Sequence, residues 1–325
     1  MKKILVTGGL GYIGTQFLDS FSDDLDILVY DTNFYSNSGS KTNVIISDIR
    51  DFKDEYLDNI EVVVHMSELS NDPLGEFNSQ LTKDINHNST KILLEKCNNS
   101  LVEKFIYMSS ASVYGFNENR LNESSDTNPL TQYAISKVDN ENYILNNDFN
   151  FETIILRNST VFGYSNNLRL DLVVNDLTYS ALVDNEIKLI SDGSPKRPFV
   201  HVKDLCNLIK NIINNDKNFD KEIINVGSND LNYSIREIAE IVAELTDVDN
   251  LIIGEKDLDQ RSYFLDFTKL ETLITDFEII FDMKTGIKDL ISNLYRYKLS
   301  GNEKRLEKLN SLIKSGKLDK NLIWT

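Results

Sequence analysis

Tyr133 and Lys137, in Tyr133-Ala134-Ile135-Ser136-Lys137, are four residues apart and would share one face of a helix. Of the 14 tyrosines in the chain, Tyr133 is the only one with lysine at the fourth following place. A phenol ionises near a pH of about 10, too high for a base at neutral pH, but a neighbouring ammonium favours the phenolate. Upstream, Phe105-Ile106-Tyr107-Met108-Ser109-Ser110-Ala111-Ser112-Val113-Tyr114-Gly115 is an apolar run emptying into small hydroxyl residues. A tyrosine that takes a proton from a substrate hydroxyl while Ser110 hydrogen-bonds the same oxygen performs the acid–base half of an alcohol–ketone interconversion. A single Tyr/Lys pair also arises as a plain surface contact, so its meaning depends on what else the chain carries.

The other half, hydride transfer, needs a redox cofactor, and the first residues supply a place for one. Four of the 14 glycines, Gly8, Gly9, Gly11 and Gly14, fall in Thr7-Gly8-Gly9-Leu10-Gly11-Tyr12-Ile13-Gly14, between a short apolar run and an amphipathic stretch. Glycines at these spacings permit a tight turn and let a pyrophosphate approach the main chain, where a helix N-terminus offers N–H groups and a positive dipole end. In a strand–loop–helix setting the pattern is strong. The second apolar run ends in Asp31, 17 residues after Gly14, where a carboxylate accepts ribose hydroxyls and repels a 2′-phosphate. No Lys or Arg follows until Lys41, which favours NAD over NADP. Asp31 as a mere strand end is the weaker reading, given the loop before it. Asp48 and Ile49 follow the third apolar run, where an acid holds an adenine amino group; a plain polar turn fits equally well.

The elements that must position these groups show in the hydropathy. Residues 3–6, 26–30, 43–46, 62–65, 104–108 and 153–156 read as continuous buried strands, and 12–21, 84–98 and 130–145 as helices between them. Asn128-Pro129 is read as the start of the last of these helices. A strand–helix–strand rhythm implies a parallel sheet with helices on both faces. After about residue 163 the rhythm weakens: 171–183 and 234–245 read as helices, and 187–190 and 199–202 as short strands. All four prolines, Pro73, Pro129, Pro195 and Pro198, fall between these expected elements. The fold expected is α/β, a Rossmann-type doubly wound parallel sheet with a smaller C-terminal α/β substrate-binding lobe.

Composition narrows the function. The 325 residues carry 34 Lys and Arg against 51 Asp and Glu, a formal net charge of −17. That field disfavours nucleic acid and anionic lipid as partners of the whole chain, so any phosphate site must be local. Cys97 and Cys206 are too few for a disulfide framework, and the scattered His65, His87 and His201 make a metal site a poor expectation. The opening apolar run is too short for a signal peptide and no stretch is long enough to span a membrane, so a cytoplasmic setting is expected.

Taken together, these residues resemble the extended short-chain dehydrogenase/reductase superfamily, in particular its NAD-dependent sugar-nucleotide epimerase/dehydratase family. The marks are residues 7–14, Asp31, the Asp48 turn, 62–65, 109–115 and 133–137, with Leu156-Arg157-Asn158-Ser159-Thr160-Val161-Phe162-Gly163, Arg197-Pro198-Phe199-Val200-His201-Val202 and Asp259-Gln260-Arg261-Ser262-Tyr263. The resemblance spans roughly residues 1–295. It implies an NAD-binding Rossmann domain over 1–165, to which segments near 195–230 return, and a lobe over 166–300 that mainly binds a nucleoside-diphosphate sugar. It also implies a homodimer. The tail, 301–325, is Lys/Glu-rich and is expected to be a surface helix without chemistry.

By position the resemblance implies that Ser110, Tyr133 and Lys137 are catalytic. Gly8, Gly11, Tyr12, Ile13, Gly14, Asp31, Asp48, Ile49, Met66, Ser109, Tyr133 and Lys137 would bind NAD, with Asn86 near its phosphates. Ser110, Ser112, Tyr133, Thr160, Arg197 and Arg261 would meet the substrate, the two arginines at its diphosphate; without the resemblance, each arginine reads equally well as a surface ion pair. Three departures stand out. His65-Met66-Ser67-Glu68 puts an acid where the family commonly has small apolar residues. Thr160 stands where many epimerases have Asn. Ala111-Ser112 replaces the Asp-Glu pair with which 4,6-dehydratases expel water, which argues against dehydration. The activity implied is a nucleotide-sugar 4-epimerase working by transient oxidation at C4. An NADH-dependent 4-ketoreductase is the close alternative, and a non-catalytic NAD-binding regulatory protein a remote one.

Overall fold

Apart from the run 43–46, a sheet-edge strand with every residue at least partly exposed where burial is expected, the apolar runs form strands because helices on both faces complete their burial. The computed structural model describes residues 2–35, 42–255, 262–296 and 304–325. Counting strands of three residues or more, β1 (Lys3–Thr7), β2 (Asp26–Asp31), β3 (Asn43–Ile46), β4 (Val62–His65), β5 (Lys104–Ser110) and β6 (Glu152–Asn158) are followed by β7 (Thr160–Phe162), β8 (Lys196–His201), β9 (Glu222–Val226) and β10 (Asn232–Ser234). Seven of them make one parallel sheet in the order β9-β6-β5-β4-β1-β2-β3, with Thr7 level with Tyr30 on one side and His65 on the other. The strand order reverses between β1 and β4, and at such a switch point the crevice beyond the carboxyl ends of the strands opens.

Alternate residues of the sheet serve two separate cores. Ile4, Val6, Val29, Val62, Val64 and Ile106 face α1 (Tyr12–Phe21) and an α-helix at Val202–Asn214, while Leu5, Tyr30, Val63, Phe105 and Ile155 face the opposite layer. That opposite layer contains α2 (Asp72–Gly75), α3 (Ser79–Lys83), α4 (Ser89–Cys97) and α5 (Gln132–Asn146). In the helix over Val202–Asn214, which is α7, Leu205, Leu208, Ile209 and Ile212 recur at helical spacing and are fully buried against Phe17 and Phe21. Each such side chain contributes about 1.5–3 kcal/mol relative to exposure. The smaller lobe has its own core, built from α6 (Val173–Asp184), α8 (Ile235–Thr246) and the three-stranded β10-β8-β7 sheet.

Several expectations are corrected. The stretch read as one helix over 84–98 is a π-helical turn at Asp84–Asn88 leading into α4, and helical structure begins earlier, at Ser79, where Asn78 caps the Leu81 N–H. Helix α5 starts at Gln132 rather than at Asn128-Pro129, because Thr131 accepts from the Ala134 N–H at 3.2 Å while the Asn128 N–H donates to the Val113 carbonyl. Two prolines lie inside elements. Pro73 occupies the first turn of α2, where no N–H is needed. Pro198 lies in β8 opposite Asn232, while β7 pairs only from Phe199 onward, so no second ladder asks for its missing N–H.

The tail is the largest difference. After α9 (Thr268–Leu273) and α10 (Met283–Arg296), the helix α11 (Arg305–Lys314) carries a stripe of Leu306, Leu309, Leu312 and Ile313. Leu309, Leu318 and Leu322 are buried in the same cluster as Tyr30 and Ile49. The surface-helix expectation failed because the lysines and glutamates describe only the outer face; the apolar stripe docks the tail on the half of the molecule that holds β2. Among the described residues no helix is long and apolar enough to cross a membrane, and no group of three or more His, Cys, Asp or Glu is arranged to hold a metal.

Two buried histidines give a pH test of this packing. The Thr7 and Thr90 hydroxyls sit 2.7 and 2.8 Å from the His65 ring nitrogens, and burial, with Lys137 nearby, pushes this imidazole down to about 3. Burial likewise pushes His201 down to about 3, Asp289 opposing and Lys203 reinforcing the shift. Each ring is neutral when folded and picks up its proton on unfolding, so its contribution is fully present above about pH 6.5 and is lost as pH falls towards 3, by up to about 1.4 kcal/mol per pH unit. Buried carboxylates held above their ordinary range, Asp31 and Glu68 among them, titrate in the opposite sense. The contribution of His65 is therefore isolated as the difference between wild type and His65→Gln in urea unfolding at pH 7 and pH 5. The wild type is expected to lose more stability than the variant on acidification; equal losses would remove His65 from the account.

Candidate active site

The cleft opens where the glycine loop, the loop after β4, the end of β5 and the start of α5 converge. Gly8 adopts φ +71°, and a Cβ there would stand 2.7 Å from the Met66 carbonyl, so no other residue fits between β1 and the loop after β4. Gly11 caps α1 without a side chain, leaving the first-turn amides of Tyr12, Ile13 and Gly14 facing an anion site. The Tyr12 side chain turns away: its hydroxyl donates to the Gly163 carbonyl at 2.7 Å. Asp31, at the end of β2, accepts from the Leu10 and Asn33 N–H groups at 3.0 and 2.7 Å; burial pushes its carboxyl up and these two bonds oppose the shift. A side-chain-free helix N-terminus next to a buried carboxylate at the ribose position suits a dinucleotide.

Of the other cofactor candidates, Ile49 and Met66 line the same cleft. Asp48 lines it as well, but both its oxygens are held by Arg50, at 2.9 and 2.6 Å, so the polar-turn alternative describes its contacts. Asn86 is not on the cleft wall. Its amide bonds both the N–H and the carbonyl of Leu69, at 2.8 and 3.2 Å, and shapes the loop from behind. Ser109 lines the cleft, yet its hydroxyl donates to Glu141, which Arg157 grips through Nε and Nη2.

At the catalytic corner the Ser110 hydroxyl accepts from the Ser112 hydroxyl at 3.0 Å and from the Ser112 N–H at 3.2 Å, and it acts on the Tyr133 phenol in the direction that favours the phenolate. Tyr133 is seated by the turn before it in space: Asp72 accepts from the Thr131 hydroxyl at 2.6 Å, and Glu76 from the Gln132 N–H at 2.7 Å. Gly75 completes this seat, since a Cβ there would fall 2.7 Å from the Tyr133 Cβ. Lys137 lies with its ammonium 5.5 Å from the Tyr133 ring centre, donating to the Met108 carbonyl at 2.5 Å and pairing with Glu68 at 2.5 Å. Glu68 therefore points inward, and Tyr107 donates to its other oxygen at 2.9 Å. The expected lowering of Tyr133 by Lys137 is corrected here. Burial first, and the Glu68 carboxylate second, push the phenol above its ordinary value; Ser110 and Arg169 pull it back, against a further rise from Asp72.

On the substrate side, Thr160 and Arg197 line the cleft, the guanidinium lying 5.4 Å from the Tyr263 ring centre, and Arg261 lies outside the described residues. The structure adds residues that spacing alone did not single out. Asn158 Oδ1 and Ser159 Oγ are buried at the cleft without a hydrogen-bond partner among the described residues. Arg169 forms a two-pronged pair with Asp171 at 3.0 and 2.8 Å; burial would raise Asp171, but the guanidinium prevails and holds it at about 2. Arg305, from the tail, also reaches the cleft. The Asn71-Asp72-Pro73 helix-start pattern was the one signal that could have exposed the Tyr133 seat.

Comparison with known proteins adds three findings. Residues 4–227 match the model of the NAD dependent epimerase/dehydratase family. A protein of Methanocaldococcus jannaschii named as a putative UDP-glucose 4-epimerase is 30% identical over 89% of this chain and 97% of its own length; human dTDP-D-glucose 4,6-dehydratase is 26% identical over 75% and 74%. The crystal structure of a UDP-glucuronic acid 4-epimerase from Bacillus cereus, in complex with UDP-glucuronic acid and NAD, superposes with a TM-score of 0.80 at 23% identity, covering 90% of this chain and 99% of that one.

The ion pair makes a prediction about pH. Replacing Glu68 by Gln removes a negative charge that favours the protonated phenol, so the rise of turnover with pH through the ionisation of Tyr133 should move to lower pH. A pH–rate profile of Glu68→Gln with its rising limb unmoved would show that the carboxylate does not act on Tyr133.

Proposed function

Because this chain belongs to the NAD-dependent epimerase/dehydratase family, and is an enzyme that uses NAD, we propose that it is a nucleoside-diphosphate-sugar 4-epimerase working by transient oxidation at C4. The observation that carries the reading is the meeting of Ser110, Tyr133 and Lys137 at one end of the cleft, followed by Ala111 and Ser112 with no acid pair to expel water. NAD, when bound, accepts hydride from C4 and returns it. Tyr133 takes the proton of the C4 hydroxyl and later gives it back, with Ser110 holding the same oxygen. Lys137 donates one proton to the Met108 carbonyl and is paired in charge with Glu68, which leaves it N–H capacity for a ribose hydroxyl of the cofactor.

Binding of the nucleotide sugar follows from the remaining residues. Arg197, braced against Tyr263, offers a planar two-pronged donor to the diphosphate. Asn158 Oδ1 and Ser159 Oγ, buried and without partners among the described residues, offer the polar contacts that a sugar hydroxyl satisfies. Thr160 stands beside them on β7. The name carried by the M. jannaschii relative supports the choice of epimerase over dehydratase.

Two measurements test the reading. Purified protein incubated with UDP-glucose, UDP-N-acetylglucosamine or UDP-glucuronic acid and no added NADH should interconvert one of them with its 4-epimer. Stoichiometric consumption of NADH by a 4-keto nucleotide sugar, without epimerisation, would make the enzyme a one-way reductase instead. Tyr133→Phe should lower turnover by about 100-fold or more while the protein still binds NAD; a fully active variant would remove Tyr133 from the acid–base role.

A further inference from the structure

Arg305 is the first residue of α11 and only 9% exposed, yet it comes from a tail that the sequence marks as solvated. Its Nη1 donates to the Ser70 hydroxyl at 2.7 Å, and its guanidinium lies over the Tyr35 ring, 4.6 Å from the centre. Nη2 stands 3.8 Å from the place where a Cβ on Gly11 would be, so it faces the glycine loop directly. Among the described residues no carboxylate lies within 4.0 Å of it. The acids nearby are already engaged: Asp171 with Arg169, and Asp31 with the Leu10 and Asn33 N–H groups. Burial, and then Arg169 beside it, push this guanidinium down to about 10, with Tyr35 and, from beyond contact distance, the Asp171 and Asp31 carboxylates opposing the shift. The Tyr35 hydroxyl at the same spot is buried with no hydrogen-bond partner among the described residues.

A buried cation with no carboxylate in contact is a costly arrangement that a ligand bringing negative charge relieves. The cation here lies across a gap from the N-terminus of α1, which attracts the same sign of ligand. Two outer contacts keep the tail in position. The Trp324 indole N–H donates to the Thr32 carbonyl at 2.7 Å with its ring 5.8 Å from Phe34, and Arg50 Nη2 donates to the Asn321 carbonyl at 2.9 Å. Thr32 and Phe34 line the same end of the cleft as Asp31.

We propose that the C-terminal segment 304–325 is a working part of the dinucleotide site, in which Arg305 is the counter-charge to the NAD diphosphate opposite the glycine loop and the docked tail keeps it there. The proposal rests on this cleft being the NAD site. It gives α11 a binding role, and it means that the tail and the cofactor hold each other in place.

Calorimetric titration of full-length wild type, Arg305→Gln and Arg305→Lys with NAD, adenosine and UDP tests it. Arg305→Gln should weaken NAD by about tenfold or more, with adenosine and UDP binding unchanged and Arg305→Lys falling between wild type and Gln. Unchanged NAD affinity in Arg305→Gln overturns the proposal, and so does a loss of UDP affinity equal to the loss for NAD, since the guanidinium would then serve the substrate diphosphate. A wild type that binds no NAD would overturn the cofactor assignment itself, a distinguishable failure. Should Arg305→Gln not fold, Trp324→Ala, at a side chain 44% exposed and outside the diphosphate contacts, loosens the tail from its far end. Faster NAD release from that variant supports the proposal, and unaltered release refutes it.

Discussion

A buried ammonium and a buried carboxylate, Lys137 and Glu68, meet 2.5 Å apart at the centre of the catalytic corner, and each is there only because the other is. Removing one partner of such a pair leaves an uncompensated charge in the interior, at a cost of about 3–5 kcal/mol. The pair therefore works as a fixed point for three elements. Glu68 belongs to the loop after β4, Lys137 to α5, and the Met108 carbonyl that shares the ammonium to the end of β5. Tyr107 and Asn140 extend the network to the π-helical turn, where Asn140 donates to the Asn86 carbonyl at 2.7 Å and to the Tyr107 hydroxyl at 2.8 Å. The consequence for chemistry is that the lysine positions more than it activates: its charge is largely answered by Glu68, and the phenol of Tyr133 is held in its protonated form until something else supplies positive charge nearby.

The distribution of arginine answers a second problem, how a chain of net charge −17 binds a dinucleotide whose diphosphate carries two negative charges. An acidic exterior repels such ligands at long range, so attraction must begin inside the cleft, where lower polarisability strengthens each contact. Arg169, Arg197 and Arg305 all lie there, but they are not equivalent. Arg169 is neutralised by Asp171, and with Asn71 bonded to the same carboxylate it braces the turn that seats Tyr133. Arg305 has no carboxylate in contact among the described residues, with Asp171 and Asp31 acting on it only from farther off, so its donor edge is available to a ligand.

The sheet was legible in the sequence because its inner strands are buried on both faces, and two-sided burial leaves a continuous apolar run that survives any uncertainty about neighbours; the edge strand β3 shows the run without the burial. The runs at 43–46 and 62–65 matched β3 and β4 to the residue, and 12–21 matched α1. Glycine spacing likewise betrays its backbone purpose, since few other reasons put four glycines within so few residues. What periodicity does not carry is direction. Glu68 follows a buried strand by three residues, and whether such a side chain turns in or out depends on Lys137, which reaches it from a different element. Asn86 illustrates the converse: it was expected near the cofactor phosphates, but it lies in the π-helical turn with its amide bonded to the Leu69 backbone, behind the cleft wall.

The tail was misread for a related reason. A helix with lysines and glutamates on one side and Leu306, Leu309, Leu312 and Ile313 on the other announces that it is amphipathic, but not which surface will cover its stripe. The surface that does so was more than 250 residues away, around Tyr30 and Ile49, next to the acid that closes β2. Docking there has an electrostatic side that hydrophobic patterning cannot encode. It carries a guanidinium into a region already crowded by Arg169, so part of the free energy gained by burying Leu309, Leu318 and Leu322 is offset by bringing two like charges together. An anion between Arg305 and the glycine loop removes that penalty. By linkage, whatever binds there stabilises the docked tail by the same free energy with which the docked tail strengthens its binding.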